Sequence, residues 1–207
     1  MKKIFLAILL ASVMNFAPTI FNSEIFQNVS VAYAEISDNK SAAKDKVTEG
    51  ILLVHKNNEE AIKKFNEAIK LDPNNAEAYL WRGHAYKDLK NYKKAIKDYT
   101  QVIKLNPKDT HAYQGRGLAY SKLKNYEKAI LDYTKAIELK PNDSVLYNMR
   151  AIFYEESKNY EQAILDYTKA IELKQDDILL YYHRGDCYKA LGENEKAEAD
   201  FAKARGK

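Results

Sequence analysis

The sequence predicts an all-α solenoid, a stack of helix–turn–helix units that are 34 residues long. The stretch KNYEKAILDYTKAIELKPND, beginning at Lys124, returns as KNYEQAILDYTKAIELKQDD, beginning 34 positions later at Lys158. Small and apolar residues within each unit follow the spacing of a helix face. Proline closes three of the units, at Pro73, Pro107 and Pro141. Because one helix pair cannot cover its own apolar face, neighbouring units are expected to stack.

The amino terminus has a different pattern. Lys2 and Lys3 precede an apolar run at residues 4–14, and an A-x-A step ends at Ala34. This is the form of a secretory signal peptide, so residues 1–34 are predicted to be removed between Ala34 and Glu35. The rest of the chain is then exported to the periplasm, the cell envelope or the medium. An uncleaved anchor is the alternative, and it would be the chain's only link to a membrane. Residues 35–41 are predicted to be a flexible segment.

The charge balance gives no sign of a nucleic-acid partner. Without Lys2, Lys3 and Glu24, the 33 basic and 29 acidic residues become 31 and 28, a net charge of +3. The two signs are interspersed, so no basic face stands out. The single cysteine, Cys187, excludes an intramolecular disulfide and is predicted to be a packed structural thiol.

The repeated part divides into rows. Row one is residues 76–109, row two 110–143, row three 144–177 and row four 178–207, and a leading row covers 42–75. In each full row an aromatic and small-residue face predicts a first helix, and an Ala-rich face predicts a second. Asparagines are placed to cap the second helices, at Asn91, Asn125 and Asn159.

The two ends of the array depart from the pattern. The leading row has Gly50 and Ala61 one residue closer together than Gly83 and Ala95 of row one, so we expect an atypical capping repeat. Row four has no covering helix after it. Phe201 and Ala204 are therefore expected to be partly exposed, which offers a surface for a homo-oligomer.

Arginine and aspartate recur in two fixed columns of the rows. We predict ion pairs between the two helices of one row, as structural charge-assisted bonds. The leading row shows Thr48 and Lys64 at the equivalent places, so no pair is expected there. The alternative is a row of ligand-binding arginines. The predicted pairs are Arg82 with Asp98, Arg116 with Asp132, Arg150 with Asp166, and Arg184 with Asp200.

The columns of tyrosine, glycine, alanine and proline resemble the tetratricopeptide repeat family, from residue 76 onward and more loosely from residue 42. The resemblance implies a right-handed superhelical solenoid and a non-enzymatic module that binds a peptide segment of a partner protein. Its first helices would line a concave groove, which we call the predicted groove. It consists of Leu80, Trp81, His84, Lys87, Gln114, Leu118, Lys122, Val145, Asn148, Ile152, Tyr182 and Asp186.

Catalytic and metal-binding patterns are not found in the sequence. The four histidines never stand at i, i+4 spacing, so no metal is predicted. No Gly-rich phosphate loop or nucleophile–base arrangement is present, so neither a cofactor nor an enzyme is predicted. The favoured function is an adaptor outside the cytoplasm. The alternatives are a self-assembling cell-envelope scaffold and a glycan-binding accessory factor, which would use Trp81 and Tyr182.

Overall fold

The computed structural model describes residues 23–174 and 177–206, with side chains from residue 27 onward. Over these residues the chain forms ten helices and no strand. The described residues divide into two compact bodies, with the boundary between Ala78 and Tyr79. The all-helical architecture agrees with the predicted fold class.

The amino-terminal body contains one long helix, α1 (Ser23–Leu53), and one shorter helix, α2 (Asn58–Leu71). The helices pack through a small apolar core that includes Val47 and Phe65. The Phe65 ring lies 2.5 Å from where a Cβ on Gly50 would stand. Glycine is therefore required at this crossing, because any side chain would overlap the ring.

Helix α1 contradicts the expectation of a flexible segment at residues 35–41. These residues lie inside α1, and no glycine or proline occurs between residues 19 and 49 to interrupt it. The predicted cleavage point, Ala34–Glu35, also lies inside this helix. Most of the predicted signal peptide, residues 1–22, falls outside the described residues. None of the helices described is both long and apolar enough to cross a membrane.

Each full row holds one pair of helices. The first helices begin at the first residue of each row, and the second helices begin 16 residues later. The pairs are α3 (Ala76–Asp88) and α4 (Tyr92–Leu105), α5 (Thr110–Lys122) and α6 (Tyr126–Leu139), α7 (Ser144–Glu156) and α8 (Tyr160–Leu173), and α9 (Ile178–Ala190) and α10 (Asn194–Ala204).

Side-chain caps fix where the helices begin. The Asn125 side chain accepts a hydrogen bond from the backbone N–H of Lys128 at 3.2 Å, and Asn91 and Asn159 do the same for α4 and α8. These three predicted caps are confirmed. The sequence analysis did not assign the caps of the first helices, which are Asp109 for α5, Asp143 for α7 and Asp177 for α9.

A left-handed residue makes the turn between the two helices of a row. Lys124 has φ +58° and Gly192 has φ +79°, and the turns of rows one and three use Lys90 and Lys158. In row two the N–H of Asn125 donates to the carbonyl of Tyr120 at 3.0 Å. This bond closes a Schellman turn, a C-terminal motif that favours glycine at the left-handed position.

The second helices end at the same point with or without proline. Helix α6 ends at Leu139, two residues before Pro141, and α8 ends at Leu173, although Gln175 replaces the proline in row three. In both helices the N–H of the following lysine bonds back to a helix carbonyl. Proline is therefore not required to stop the helix.

Rows of the second body stack through the second helix of one row and the first helix of the next. Tyr133 of α6 and Leu146 and Phe153 of α7 share one buried cluster. The Tyr133 and Phe153 rings meet edge to face at 5.2 Å. In row four, Phe201 and Ala204 are half-buried, which agrees with their expected partial exposure.

Candidate functional site

The Arg and Asp columns form the same pairs within a row that the sequence predicts. Arg150 donates from Nε and Nη2 to the two carboxylate oxygens of Asp166, at 2.7 and 2.8 Å. The aspartate is buried, and the fork-to-fork geometry satisfies both of its oxygens. The same two bonds join Arg82 to Asp98, Arg116 to Asp132, and Arg184 to Asp200.

The remaining guanidinium nitrogen reaches the preceding row. Arg150 Nη1 donates to Thr134 Oγ1 at 2.9 Å, and the corresponding bonds join Arg116 to Thr100 and Arg184 to Thr168. The sequence analysis missed this second partner. The signal was the recurring threonine, which stands 16 residues before each of these arginines. Each of the three arginines therefore links the two helices of its own row and also links that row to the preceding one.

Tyrosine rings lie on both sides of Arg82, Arg150 and Arg184 along the helix. The Arg150 guanidinium carbon lies 5.9 Å from the ring centres of both Tyr147 and Tyr154, which are one helical turn before and after it. Hydrogen bonding to Asp166 raises the pKa of Arg150, against the opposing effect of burial. A row of arginines that bind a ligand is therefore disfavoured, because their donors already face protein groups.

The leading row holds a reversed ion pair where none was expected. Glu49, not Thr48, precedes Gly50 and takes the place of the arginine, and Lys64 Nζ lies 2.8 Å from Glu49 Oε2. Gly50 and Ala61 stand one residue closer together than Gly83 and Ala95, because α1 ends three residues after its glycine and α3 ends five residues after its own, so the column of the first helix is displaced by one position. Counting back a fixed 34 residues from Arg82 therefore led to Thr48, whereas the residue at the equivalent place is Glu49.

The predicted groove residues differ in exposure. Lys122, Val145 and Tyr182 are exposed, and the others are half-buried. Trp81 packs edge-on against the His84 ring at 5.6 Å, which reduces its use as an open platform for a sugar ring.

Three of these residues line a cleft between the carboxyl ends of α5 and α7, which we call the α5–α7 cleft. It has a volume of about 230 Å³. Leu118, Lys122 and Ile152 of the predicted groove line it, and so does Met149. Four further lining residues were not in the predicted groove: Ser121, Tyr126, Phe153 and Glu156. Tyr126 could not be placed here from sequence, because it begins the second helix of row two.

On the face formed by the first helices, the row-one end is built around a half-buried, neutral histidine. The Tyr99 hydroxyl lies 2.9 Å from His84 Nδ1, and the two rings meet edge to face at 5.4 Å. Burial lowers the pKa of His84 from its usual 6.5 to about 4, and Lys87 acts in the same direction. The imidazole is therefore uncharged at neutral pH. Burial also raises the pKa of Tyr99.

At the row-three end of the same face, the partner of the tyrosine hydroxyl is a carboxylate and not a histidine. The Tyr167 hydroxyl donates to Glu155 Oε2 at 2.6 Å, and the His183 ring stacks on the Tyr167 ring at 5.7 Å. Glu155 and His183 are not in the predicted groove, since their approach depends on the stacking of row four on row three. Cys187 is buried, and burial with Glu155 nearby raises its thiol pKa to about 12. This is the packed, unreactive thiol that the sequence analysis predicts.

One buried polar atom on the face lacks a hydrogen bond. Asn148 Oδ1, on α7, is inaccessible to solvent and has no donor among the described residues. Across the same described part of the chain, no three His, Cys, Asp or Glu side chains are grouped as metal ligands would be. The face consists of apolar, amide and charged side chains, which suits recognition of another chain.

Comparison with known proteins identifies the family. Models described as TPR repeat match residues 55–90 and 152–192, and models described as Tetratricopeptide repeat match residues 76–109, 111–143 and 132–165. The chain belongs to the tetratricopeptide repeat family. Proteins of this family act as protein–protein interaction modules, and no enzyme family is indicated.

Solved structures of similar shape are tetratricopeptide repeat proteins. MamA from Desulfovibrio magneticus RS-1, residues 41 to the end, shares 23% identity at a TM-score of 0.74, over 80% of this chain and 94% of that one. Another MamA structure shares 26% at 0.71, over 82% and 90%. YrrB, described as a TPR protein with an unusual peptide-binding site, shares 24% at 0.70, over 82% and 88%. These likenesses confirm the solenoid fold. No curated protein sequence matches the chain.

Proposed function

We propose that this tetratricopeptide repeat protein is a non-enzymatic adaptor, which binds a peptide segment of a partner protein on the face formed by its first helices. The observation that carries the proposal is the α5–α7 cleft. Its apolar floor includes Leu118 and Ile152 of the predicted groove, and the charged residues Lys122 and Glu156 border it. An apolar centre with a polar border is the composition of a protein-recognition site.

The arginine–aspartate pairs of the four rows support this placement of the binding surface, because they exclude the repeated residues from it. The repeated side chains bond within the array, so they are not available to a partner. The variable residues of the first helices carry the differences between rows. The likeness to YrrB is a likeness of fold, and YrrB is itself described as having a peptide-binding site.

We further propose that the protein acts outside the cytoplasm. The basic start, apolar run and A-x-A step of residues 1–34 support export. Cell fractionation followed by amino-terminal sequencing tests this. A mature protein beginning at Glu35 in the envelope or medium is expected, and an intact protein in the cytoplasm would contradict export.

A second function, self-assembly into a scaffold, is favoured by one observation. Ile178, Leu179 and Tyr182 at the start of α9 are 57%, 62% and 52% exposed, and they form an apolar patch on row four. Light scattering over a range of concentrations separates the two functions. A constant monomer mass supports the adaptor, and a mass that rises with concentration supports the scaffold.

The adaptor is tested by quantitative capture of envelope proteins with the purified chain, followed by mass spectrometry. The variant Leu118→Gln with Ile152→Gln places amides on the cleft floor, and we expect it to lose the main captured partner. The matched control is Leu131→Gln with Leu165→Gln, two leucines of second helices that are 68% and 61% exposed. Thermal melts by circular dichroism verify that both variants fold. Equal capture by both variants and the wild type would contradict the first-helix face as the binding surface.

A further inference from the structure

We propose that the α5–α7 cleft selects partner segments with one bulky apolar side chain, an acidic residue on its α5 side and a basic residue on its α7 side. This inference rests on the proposed adaptor function and specifies the chemistry of the ligand. It also gives the bound segment a direction along the array.

The floor of the cleft is apolar and held in place. Leu118, Met149 and Ile152 pack against the buried cluster that contains Phe153 and Tyr133. The Phe153 ring is 3% exposed and is fixed edge to face against Tyr133. A floor supported in this way is formed before the ligand arrives, so little ordering of the protein is needed on binding.

The size of the cleft favours one side chain over a small-molecule ligand. Its volume of about 230 Å³ lies below the roughly 300–1,000 Å³ that is usual for small-molecule pockets. Leucine, methionine or phenylalanine from an extended or helical segment would suit such a space.

The two walls carry opposite charges at corresponding positions. Lys122 is the last residue of α5 and Glu156 is the last residue of α7, and both are exposed. Neither forms an ion pair in the part of the chain that the structure describes. The Glu156 carboxylate accepts a hydrogen bond from the Tyr126 hydroxyl at 3.1 Å, which holds it at the rim of the cleft.

The charge at the end of α7 is unfavourable in the free protein. A helix carboxyl terminus attracts cations and repels anions. Helices α3, α5 and α9 each have a lysine in their last turn, whereas α7 has no basic residue there and ends in Glu155 and Glu156. A basic residue of a bound segment would compensate this negative charge, and an acidic residue would pair with Lys122.

Selection from an unbiased phage-displayed peptide library against the immobilised protein tests the inference. Enriched peptides are expected to carry an acidic residue, a bulky apolar residue and a basic residue in a constant order. Replacing the apolar residue of an enriched peptide by alanine is expected to weaken binding at least tenfold, measured by fluorescence anisotropy.

The double variant Lys122→Glu with Glu156→Lys exchanges the charges of the two walls and keeps the net charge. We expect it to select peptides with the order of charges reversed, and to bind the wild-type peptides at least tenfold more weakly. The matched control is Lys135→Glu with Glu138→Lys, an exposed ion pair on α6, which should leave both selections unchanged.

The outcomes separate this inference from the adaptor function. If enriched peptides lose binding in the Leu118→Gln, Ile152→Gln variant but show no constant charge order, the adaptor stands and the present inference fails. It also fails if the charge exchange does not reverse the selected order. Enriched peptides that bind all variants equally, or no enrichment at all, would overturn both proposals.

Discussion

Arg150 Nη1 donates a hydrogen bond to Thr134 Oγ1 across the boundary between rows two and three, at 2.9 Å. The same guanidinium holds Asp166 within row three. A single side chain therefore connects α6, α7 and α8. This makes the stacking of neighbouring rows dependent on polar contacts as well as on apolar burial.

The contribution of the bond between rows is measurable with Thr134→Val, which keeps the shape of the side chain and removes the acceptor. We expect a loss of roughly 1–2 kcal/mol in the free energy of unfolding, because the donor is charged and half-buried. Urea unfolding measures it. Thr48→Val is the control, since that hydroxyl bonds only to the carbonyl of Lys44 in its own helix. A Thr134→Val value equal to the control would show that the bond does not stabilise the array.

Removing the buried member of an ion pair should be far more costly than removing an exposed one. Asp166→Ala leaves the Arg150 charge half-buried without its carboxylate, and we expect a loss of about 3–5 kcal/mol. Glu172→Ala breaks the exposed pair with Lys169, where the side chains are 59% and 46% exposed, and should have little effect on the free energy of unfolding, because solvent screens exposed charges. Chemical denaturation of both variants checks the contrast. Similar losses for the two variants would mean that burial does not set the strength of these pairs.

Glycine in place of the left-handed lysine of row two should stabilise the protein. Lys124 has φ +58°, a conformation that costs an L-residue about 1–2 kcal/mol. After allowing for the greater freedom of glycine in the unfolded chain, Lys124→Gly is expected to gain about 1 kcal/mol in unfolding free energy. Lys97→Gly, in the middle of α4, should instead lose about 1 kcal/mol. Thermal and urea unfolding distinguish the signs, and destabilisation by both substitutions would refute this account of the turn.

Stability should depend on pH through His84. The pKa of His84 is about 4 in the folded protein against 6.5 as its usual value. The unfolded chain therefore binds a proton first as the pH falls, so this contribution is complete above pH 6.5 and is lost between 6.5 and 4. The loss amounts to roughly 3 kcal/mol.

His84→Gln should flatten this slope, since an amide can still accept a hydrogen bond from Tyr99 but does not titrate. Unfolding free energies at several pH values and an NMR titration of the ring give independent readings. An imidazole that titrates near 6.5 in the folded protein would contradict the prediction.

Most of the framework of the second body could be predicted because its determinants are local and repeated. The caps Asn91, Asn125 and Asn159 act within three residues of the helix start. The 34-residue columns placed each arginine and aspartate on facing helices of one row. Composition and spacing were sufficient to predict these features, because successive rows repeat the same residue types at the same spacing.

Tertiary structure decided the features that depend on how rows meet or on where the first helix of the leading row ends. The threonine acceptors, the Glu155–Tyr167–His183 cluster and the Tyr126 wall of the cleft join residues from different helices, often from different rows. The shorter spacing from Gly50 to Ala61 in the leading row moved Glu49 into the place assigned to Thr48. The sequence by itself determined a stack of helix pairs, because period and helical spacing are properties of the chain. The cleft and its opposite charges were decided by packing, because only the stacking of α7 beside α5 brings Lys122 and Glu156 to one rim.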